Sequence, residues 1–317
     1  MRLKDKIAII TGAGTGIGEA IAHKFAREGA SLVLNGLPAD PVRNVAESIV
    51  AGGGQAEVHL GDVAEETQAR ACVDLAIRRF GRLDVLVNNA GIFIANAETD
   101  DYRIADFDRT VRNNLRTAFL MTKFALPYLQ KSRGNIICAG SEAGFNGSPG
   151  FTPYGGSKAF LHAFTMGVAL EQAKYGVRAN CICPGPIDTA WTRPDTGPLD
   201  EAMAKSIDDV VPLGRRGTTE EMANIYAFIA SDEASYVTGS LWLADGGVTP
   251  AKGCLGGKVP TELRRAPAGV LPLRHSHDGE NGKEIFRAKK QVAVERSGAS
   301  TSIFRETVHG LAATPKQ

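Results

Sequence analysis

Through the first 250 residues, short apolar runs alternate with longer amphipathic ones, and that alternation leaves few folds open. The runs at 7–11, 32–35, 57–60, 85–88, 135–139, 178–183 and 241–244 have the length and composition of strands. Between them, helical periodicity marks segments at about 16–28, 41–51, 65–80, 104–130, 153–175 and 219–231. Several of the strands are apolar at nearly every position rather than every second one. A strand reads that way when both its faces are buried, as happens where helices cover a parallel sheet from two sides. Strand and helix in strict repetition, joined by right-handed crossovers, predict an α/β fold: a doubly wound parallel sheet of about seven strands with helices on both faces. Two stretches break the rhythm. Residues 188–216 are rich in Pro, Gly and charge around one short helical piece at 199–207, and read as a mobile lid. Residues 251–317 carry only weak periodicity and read as a C-terminal extension of a catalytic domain spanning 1–250.

Composition narrows the function classes. Hydrophobic residues make up 43% and charged residues 22%, so the chain is not disordered throughout. A formal net charge of +1 supplies no general attraction to nucleic acid or to a membrane surface. The charge is divided unevenly: residues 1–250 carry 24 Lys and Arg against 29 Asp and Glu, whereas 251–317 carry 12 against 6. The five cysteines, Cys72, Cys138, Cys181, Cys183 and Cys254, show neither disulfide pairing nor metal-ligand spacing, which points to a reducing compartment. Cys181 and Cys183 alternate in a strand and so face one way, into or near the core. No apolar run approaches ~18 residues, and no leader precedes the first strand, so the expected location is cytoplasmic.

Three local patterns carry chemistry. Residues 11–18 read Thr-Gly-Ala-Gly-Thr-Gly-Ile-Gly, closing a strand and opening a helix. Gly12, Gly14, Gly16 and Gly18 allow a tight turn and close backbone approach, and a helix N-terminus offers free N–H groups to a pyrophosphate. The alternative is an ordinary Gly-rich turn between strand and helix. Tyr154 and Lys158 stand four apart on a helical segment, hence on one face, where an ammonium favours the phenolate and fits the phenol for proton transfer. The alternative is a solvated pair. Ser141 follows the fifth strand at its carboxyl end, the layer in which open α/β sheets bind ligands. A helix-cap serine is the other reading.

In order and spacing, the set resembles the short-chain dehydrogenase/reductase family: the 11–18 turn, Asn88-Asn89-Ala90-Gly91, Asn114, Ser141, Tyr154 with Lys158, Pro184-Gly185 and Asp245-Gly246-Gly247. The resemblance spans residues 3 to about 249 and implies a Rossmann-type fold binding NAD or NADP. It implies that Tyr154 exchanges the proton and that Lys158 assists it while holding the nicotinamide ribose. Ser141 would polarise the substrate oxygen, and Asn114 would hold a relay water. Cofactor contacts would come from Gly12, Gly14, Thr15, Gly16, Ile17, Gly18, Asn35, Gly36, Asp62, Val63, Asn89, Ala90, Gly91, Pro184, Gly185, Ile187 and Thr189, along with Tyr154 and Lys158. The implied activity is interconversion of a secondary alcohol and a ketone. Reduction of a 3-oxoacyl thioester is a competitor, and a non-catalytic NAD(P) sensor is a competitor of another class. The resemblance also implies a homotetramer.

Several points stay open at this level. Gly36 and Leu37 stand where an acid would favour NAD and an arginine NADP, and Thr15 is not basic; the balance tips slightly to NAD. Glu142 either faces the substrate and disfavours anions or simply faces solvent. Trp191 and Arg193 fall in the lid and could close over substrate, an arginine there being able to clamp a carboxylate. Phe160, Leu161 and Phe164 are subunit-interface or core residues. The extension is either an ordered arm docked through Val270, Leu271, Leu273, Ile285, Phe286, Ile303 and Phe304, or a partly disordered tail. His275 and His277 lack further metal ligands, and no metal is expected.

Overall fold

The seven apolar runs pair into one parallel sheet. The structure is a computed structural model that describes residues 1–94, 96–147, 149–192, 201–251, 259 and 261–263. Arg193, Cys254, His275, His277 and the apolar clusters of the extension lie outside the described residues. In chain order the strands are β1 (Ile7–Thr11), β2 (Ser31–Gly36), β3 (Gln55–Leu60), β4 (Val85–Asn88), β5 (Asn135–Ala139), β6 (Arg178–Pro184), β7 (Ile187–Asp188), β8 (Gly217–Thr218) and β9 (Leu241–Ala244). The main helices are α1 (Gly16–Arg27), α2 (Val42–Ala51), α3 (Glu66–Phe80), α4 (Ile104–Thr110), α5 (Thr117–Ser132), α6 (Thr152–Gln172), α7 (Glu201–Val210) and α8 (Thr219–Ala230).

The sheet order is β3-β2-β1-β4-β5-β6-β9, every pair parallel. The chain builds outward from β1 to β3, then returns to β4 and builds the other way. Helices α1, α2 and α8 bury one face of the sheet around Ile10, Phe25, Leu34 and Tyr226. Helices α3, α5 and α6 bury the other around Ile9, Leu86, Met121 and Cys181. Strands β1 and β4 are buried at every position, which is why no alternation shows in their sequences.

Two features depart from the sequence expectation. The helix expected over 104–130 is interrupted by a π-helical segment, Val111–Arg116, between α4 and α5. A π turn widens the coil by one residue, and here it carries Asn114 into the interior, fully buried. Residues 188–216 contain α7, three residues longer at its C-terminal end than the expected piece, and the pairing of β7 with β8 brackets the stretch. Arg216 ties this region together by donating to the Thr192 carbonyl and, at 3.1 Å, to Asp208.

At the end of α1 remote from the sheet's carboxyl edge, Glu28 clamps the N-terminal residues. It accepts from the Arg2 backbone N–H at 2.9 Å, pairs with the Arg2 guanidinium at 3.1 Å and with Lys24 at 3.3 Å. The Arg2 N–H leads in holding its carboxyl down to about 2, against burial, with the two cations adding to it. A depressed carboxylate stabilises the fold above its ordinary value of 4.5 and loses that contribution as pH falls towards 2. Thermal melts should therefore show Glu28→Gln less stable than wild type at pH 7, with the gap closing below about pH 4.5. A gap independent of pH would mean that charge plays no part.

Candidate active site

Because strand order reverses between β1 and β4, the segments leaving their carboxyl ends diverge to opposite faces and open a crevice. A cavity of 890 Å³ occupies it, running from the glycine turn past the ends of β2, β5 and β6 to α7. That volume lies within the usual range for small-molecule sites of ~300–1,000 Å³.

The turn at one end is built tightly. Gly12 and Gly16 take left-handed backbone angles, φ +62 and +57. A Cβ on Gly18 would lie 2.0 Å from the Gly12 carbonyl oxygen, so only glycine lets α1 begin there. The Asn89 amide donates to the Thr11 and Gly12 carbonyls at 3.0 and 3.1 Å. The Thr11 hydroxyl accepts from the N–H groups of Asn89 and Ala90 at 3.1 and 3.0 Å. Thr15 starts the helix with extended backbone angles, and the first-turn N–H groups behind it have no intrahelical acceptor. A cavity wall of glycine backbone and helix N–H donors suits a pyrophosphate.

The structure brings most of the expected cofactor residues to this cavity: Gly12, Thr15, Gly16, Ile17, Gly18, Asn35, Gly36, Asp62, Val63, Asn89, Ala90, Gly91, Pro184, Gly185, Ile187 and Thr189. Gly14 is not among the lining residues; a Cβ there would meet the Val42 backbone nitrogen at 3.1 Å. Asn35 reaches the wall, but its amide donates to the carbonyls of His59 and Gly61 at 3.2 and 2.9 Å and so joins β2 to β3. Asp62 accepts from Ala64 N–H at 2.9 Å and pairs with Arg112 from the π turn.

Sequence reasoning passed over Asp40. It closes a turn in which its carboxylate accepts from Leu37 N–H at 2.9 Å, and it lines the cavity beside Gly36. Its Cβ lies 3.3 Å from where a Cβ on either Gly14 or Gly36 would be. An acid thus stands at the end of β2 after all, four residues later than the position read for it. The Pro38 turn that carries it back was the only available signal.

At the other end, Ser141, Tyr154 and Lys158 line the same cavity. The Ser141 hydroxyl accepts from Ala143 N–H at 3.2 Å and caps a short 3-10 turn at the cavity wall. Lys158 is nearly fully buried; its ammonium donates to the Ala139 carbonyl at 2.8 Å and lies 5.5 Å from the Tyr154 ring centre. Asn114 sits behind them. Its amide nitrogen donates to the Ile92 carbonyl at 3.0 Å and to Ser157 Oγ at 2.9 Å, while its oxygen accepts from Ile92 N–H at 2.7 Å. Ser157 in turn donates to the Tyr154 carbonyl at 2.6 Å.

Beyond Tyr154 the wall turns aromatic. The Phe93 ring lies 5.1 Å from Phe151, 5.3 Å from Tyr154 and 6.4 Å from Trp191. Glu142, Asn96 and, from α7, Ala202, Ser206 and Ile207 line the same cavity. Glu142, half-buried, lines the cavity. Leu161 is core, and Phe160 and Phe164, stacked at 5.5 Å, are half-buried on α6. Among the described residues, no helix is long and apolar enough to cross a membrane.

Comparison with known proteins agrees with this architecture. A family model described as enoyl-(acyl carrier protein) reductase matches residues 12–249. The 3-oxoacyl-(acyl-carrier-protein) reductase of Thermotoga maritima is 36% identical over 249 residues, covering 78% of this chain and 99% of that protein. The meso-2,3-butanediol dehydrogenase of Serratia marcescens is 34% identical over 253 residues, covering 80% of this chain and 98% of that protein. The crystal structure of levodione reductase superposes with a TM-score of 0.75 at 32% identity, over 79% of this chain and all of the other. The chain belongs to the short-chain dehydrogenase/reductase family and is an NAD(P)-dependent oxidoreductase acting on CH–OH and C=O groups.

Proposed function

We propose that the enzyme interconverts a neutral secondary alcohol and its ketone, with NAD(H) preferred over NADP(H). The observation that carries the reaction is the common wall on which Ser141, Tyr154 and Lys158 meet. When bound, the nicotinamide supplies or accepts the hydride. The protein's part is to orient and to handle the proton. Tyr154 gives its phenolic proton to the carbonyl oxygen in reduction and takes the hydroxyl proton in oxidation. Lys158 has one N–H committed to Ala139 and two left for the ribose hydroxyls and the phenolate, whose charge it favours. Ser141 donates to the substrate oxygen while keeping its cap. Both amide protons of Asn114 are committed, which leaves one lone pair of its oxygen for a relay water.

The substrate's apolar part packs on Phe93, Phe151 and Trp191, and Glu142 repels anions from the same space. The Asp40 carboxylate beside Gly36 accepts from a ribose hydroxyl and repels a phosphate in its place. A homotetramer fits the exposed apolar side chains of the α4–α6 region, including Phe107, Phe119 and Leu170, and the exposed Leu243 on the edge strand β9.

Turnover of ketone and alcohol panels with both cofactors tests the reaction. Tyr154→Phe should lose about 10²–10⁴-fold in kcat and keep its cofactor affinity. Wild-type rates in that variant would sink the assignment. Binding without turnover of any panel member by wild type would favour the sensor reading, and preference for 3-oxoacyl thioesters the competing reductase. Fluorescence titration should show NADH bound more tightly than NADPH, with Asp40→Asn raising NADPH affinity at least about tenfold. An unchanged ratio would remove Asp40 from cofactor choice. Glu142→Gln should improve kcat/KM for carboxylate-bearing substrates relative to neutral ones; an unaltered preference would clear Glu142 of any role in selection.

A further inference from the structure

Helix α6 carries a third residue on the row that holds Tyr154 and Lys158. His162 follows Lys158 by four positions and so continues the same face one turn on. It passes beneath the cavity floor instead of lining it and is buried, with its Nε2 3.2 Å from Cys183 Sγ. Cys181 and Cys183, two apart on β6, point to one face, with their sulfurs 3.9 Å apart. One donor atom from each of the three lies within 4.8 Å of the other two. They converge on Gly140, the residue before Ser141 and itself a lining residue of the cavity. A Cβ on Gly140 would stand 2.7 Å from Cys181 Sγ, 2.8 Å from His162 Nε2 and 3.0 Å from Cys183 Sγ. Three donors therefore surround the space that a side chain at 140 would fill.

Two thiols and an imidazole are the donor set of thiophilic cations rather than of calcium or magnesium. In a tetrahedral zinc site with Zn–S bonds of ~2.3 Å, two sulfurs stand about 3.8 Å apart. The separation here matches that without any movement of β6. We propose that Cys181, Cys183 and His162 form a binding site for a thiophilic divalent cation of the Zn²⁺ class, and that filling it disables the enzyme. On binding, each thiol releases its proton to solvent, two sulfur–metal bonds and one nitrogen–metal bond form, and no electron changes hands. Two thiolates neutralise the dication, so the filled site places no net charge in the core. Without a cation the contact between Cys183 and His162 joins two of the donors. With one, the space against Gly140 is taken, and the backbone that presents Ser141 must shift away from it. The binding stands on these contacts alone, while its effect on turnover rests on the role proposed for Ser141.

The experiment titrates metal-free, full-length enzyme with Cd²⁺, read by the ultraviolet thiolate-to-metal charge-transfer band, with Zn²⁺ as competitor and kcat measured in parallel. One Cd²⁺ per chain is expected, with the band kept in Cys72→Ala and Cys254→Ala. Cys181→Ala and Cys183→Ala should lose the band and bind at least about tenfold more weakly. Cys183→Val, which keeps the core filled, should do the same if the alanine variant fails to fold. Zn²⁺ should lower wild-type kcat reversibly with chelator and leave that of Cys183→Ala unchanged. No band at millimolar Cd²⁺, or a band that survives in Cys181→Ala/Cys183→Ala, overturns the site. A band with undiminished turnover overturns the coupling to Ser141. If wild type turns over no substrate, the proposed reaction fails, but the cadmium titration still decides the site.

Discussion

The geometry of the molecule depends on one close approach, that of the first turn of α1 to the carboxyl ends of β1 and β4. Strand order reverses there, so the two strands run side by side and then send their chains to opposite faces. Backbone groups at such a parting lose their ladder partners and need others. Thr11 and Asn89 supply them reciprocally, each side chain bonding the other's segment. Gly18 lets the helix start against the Gly12 carbonyl, where any Cβ would collide. The result is a rigid mouth with helix N–H groups along one wall, fixed before any ligand arrives.

Helix α6 is the second organising element, and it is held from several directions. Asn114, carried inward by the π turn, bonds both backbone groups of Ile92 and, through Ser157, steadies the helix at Tyr154. From the other side Gly144 packs so closely that a Cβ would reach within 2.9 Å of the Ala159 nitrogen. An ammonium as buried as that of Lys158 requires a partner, and Ala139 at the end of β5 provides it. The row of Tyr154, Lys158 and His162 is thereby set against the loop bearing Ser141 over two helical turns. Burial and the nearby Lys158 charge hold the His162 imidazole below its usual range.

The two ends of the cavity divide the work by chemistry. Glycine backbone and helix N–H groups line one end, whereas the far end is aromatic around Phe93. The aromatic end is assembled from the loop after β4, the start of α6, the segment after β7 and helix α7. The residues of this wall are therefore far apart in the chain. The family model matches residues 12–249.

Much of this was legible in the sequence, because its causes are local. Strands buried on both faces must be apolar throughout, so β1, β4 and β5 could be read to the residue. A turn that takes left-handed angles at positions 12 and 16 favours glycine there, and two residues four apart in a helix, as Tyr154 and Lys158 are, share one face. What stayed illegible depends on contacts between distant elements. Asn35 lies where a cofactor contact was expected, yet β3 claims its amide. Asp40 comes to lie beside Gly36 only because a turn folds it back. The break at 111–116 coincides with Asn114 bonding both backbone groups of Ile92, and the convergence of His162, Cys181 and Cys183 on Gly140 needs α6, β6 and β5 packed together. Periodicity along the chain reports which face of an element is buried; which atoms meet beneath that face is decided by packing, and packing exists only in the folded structure.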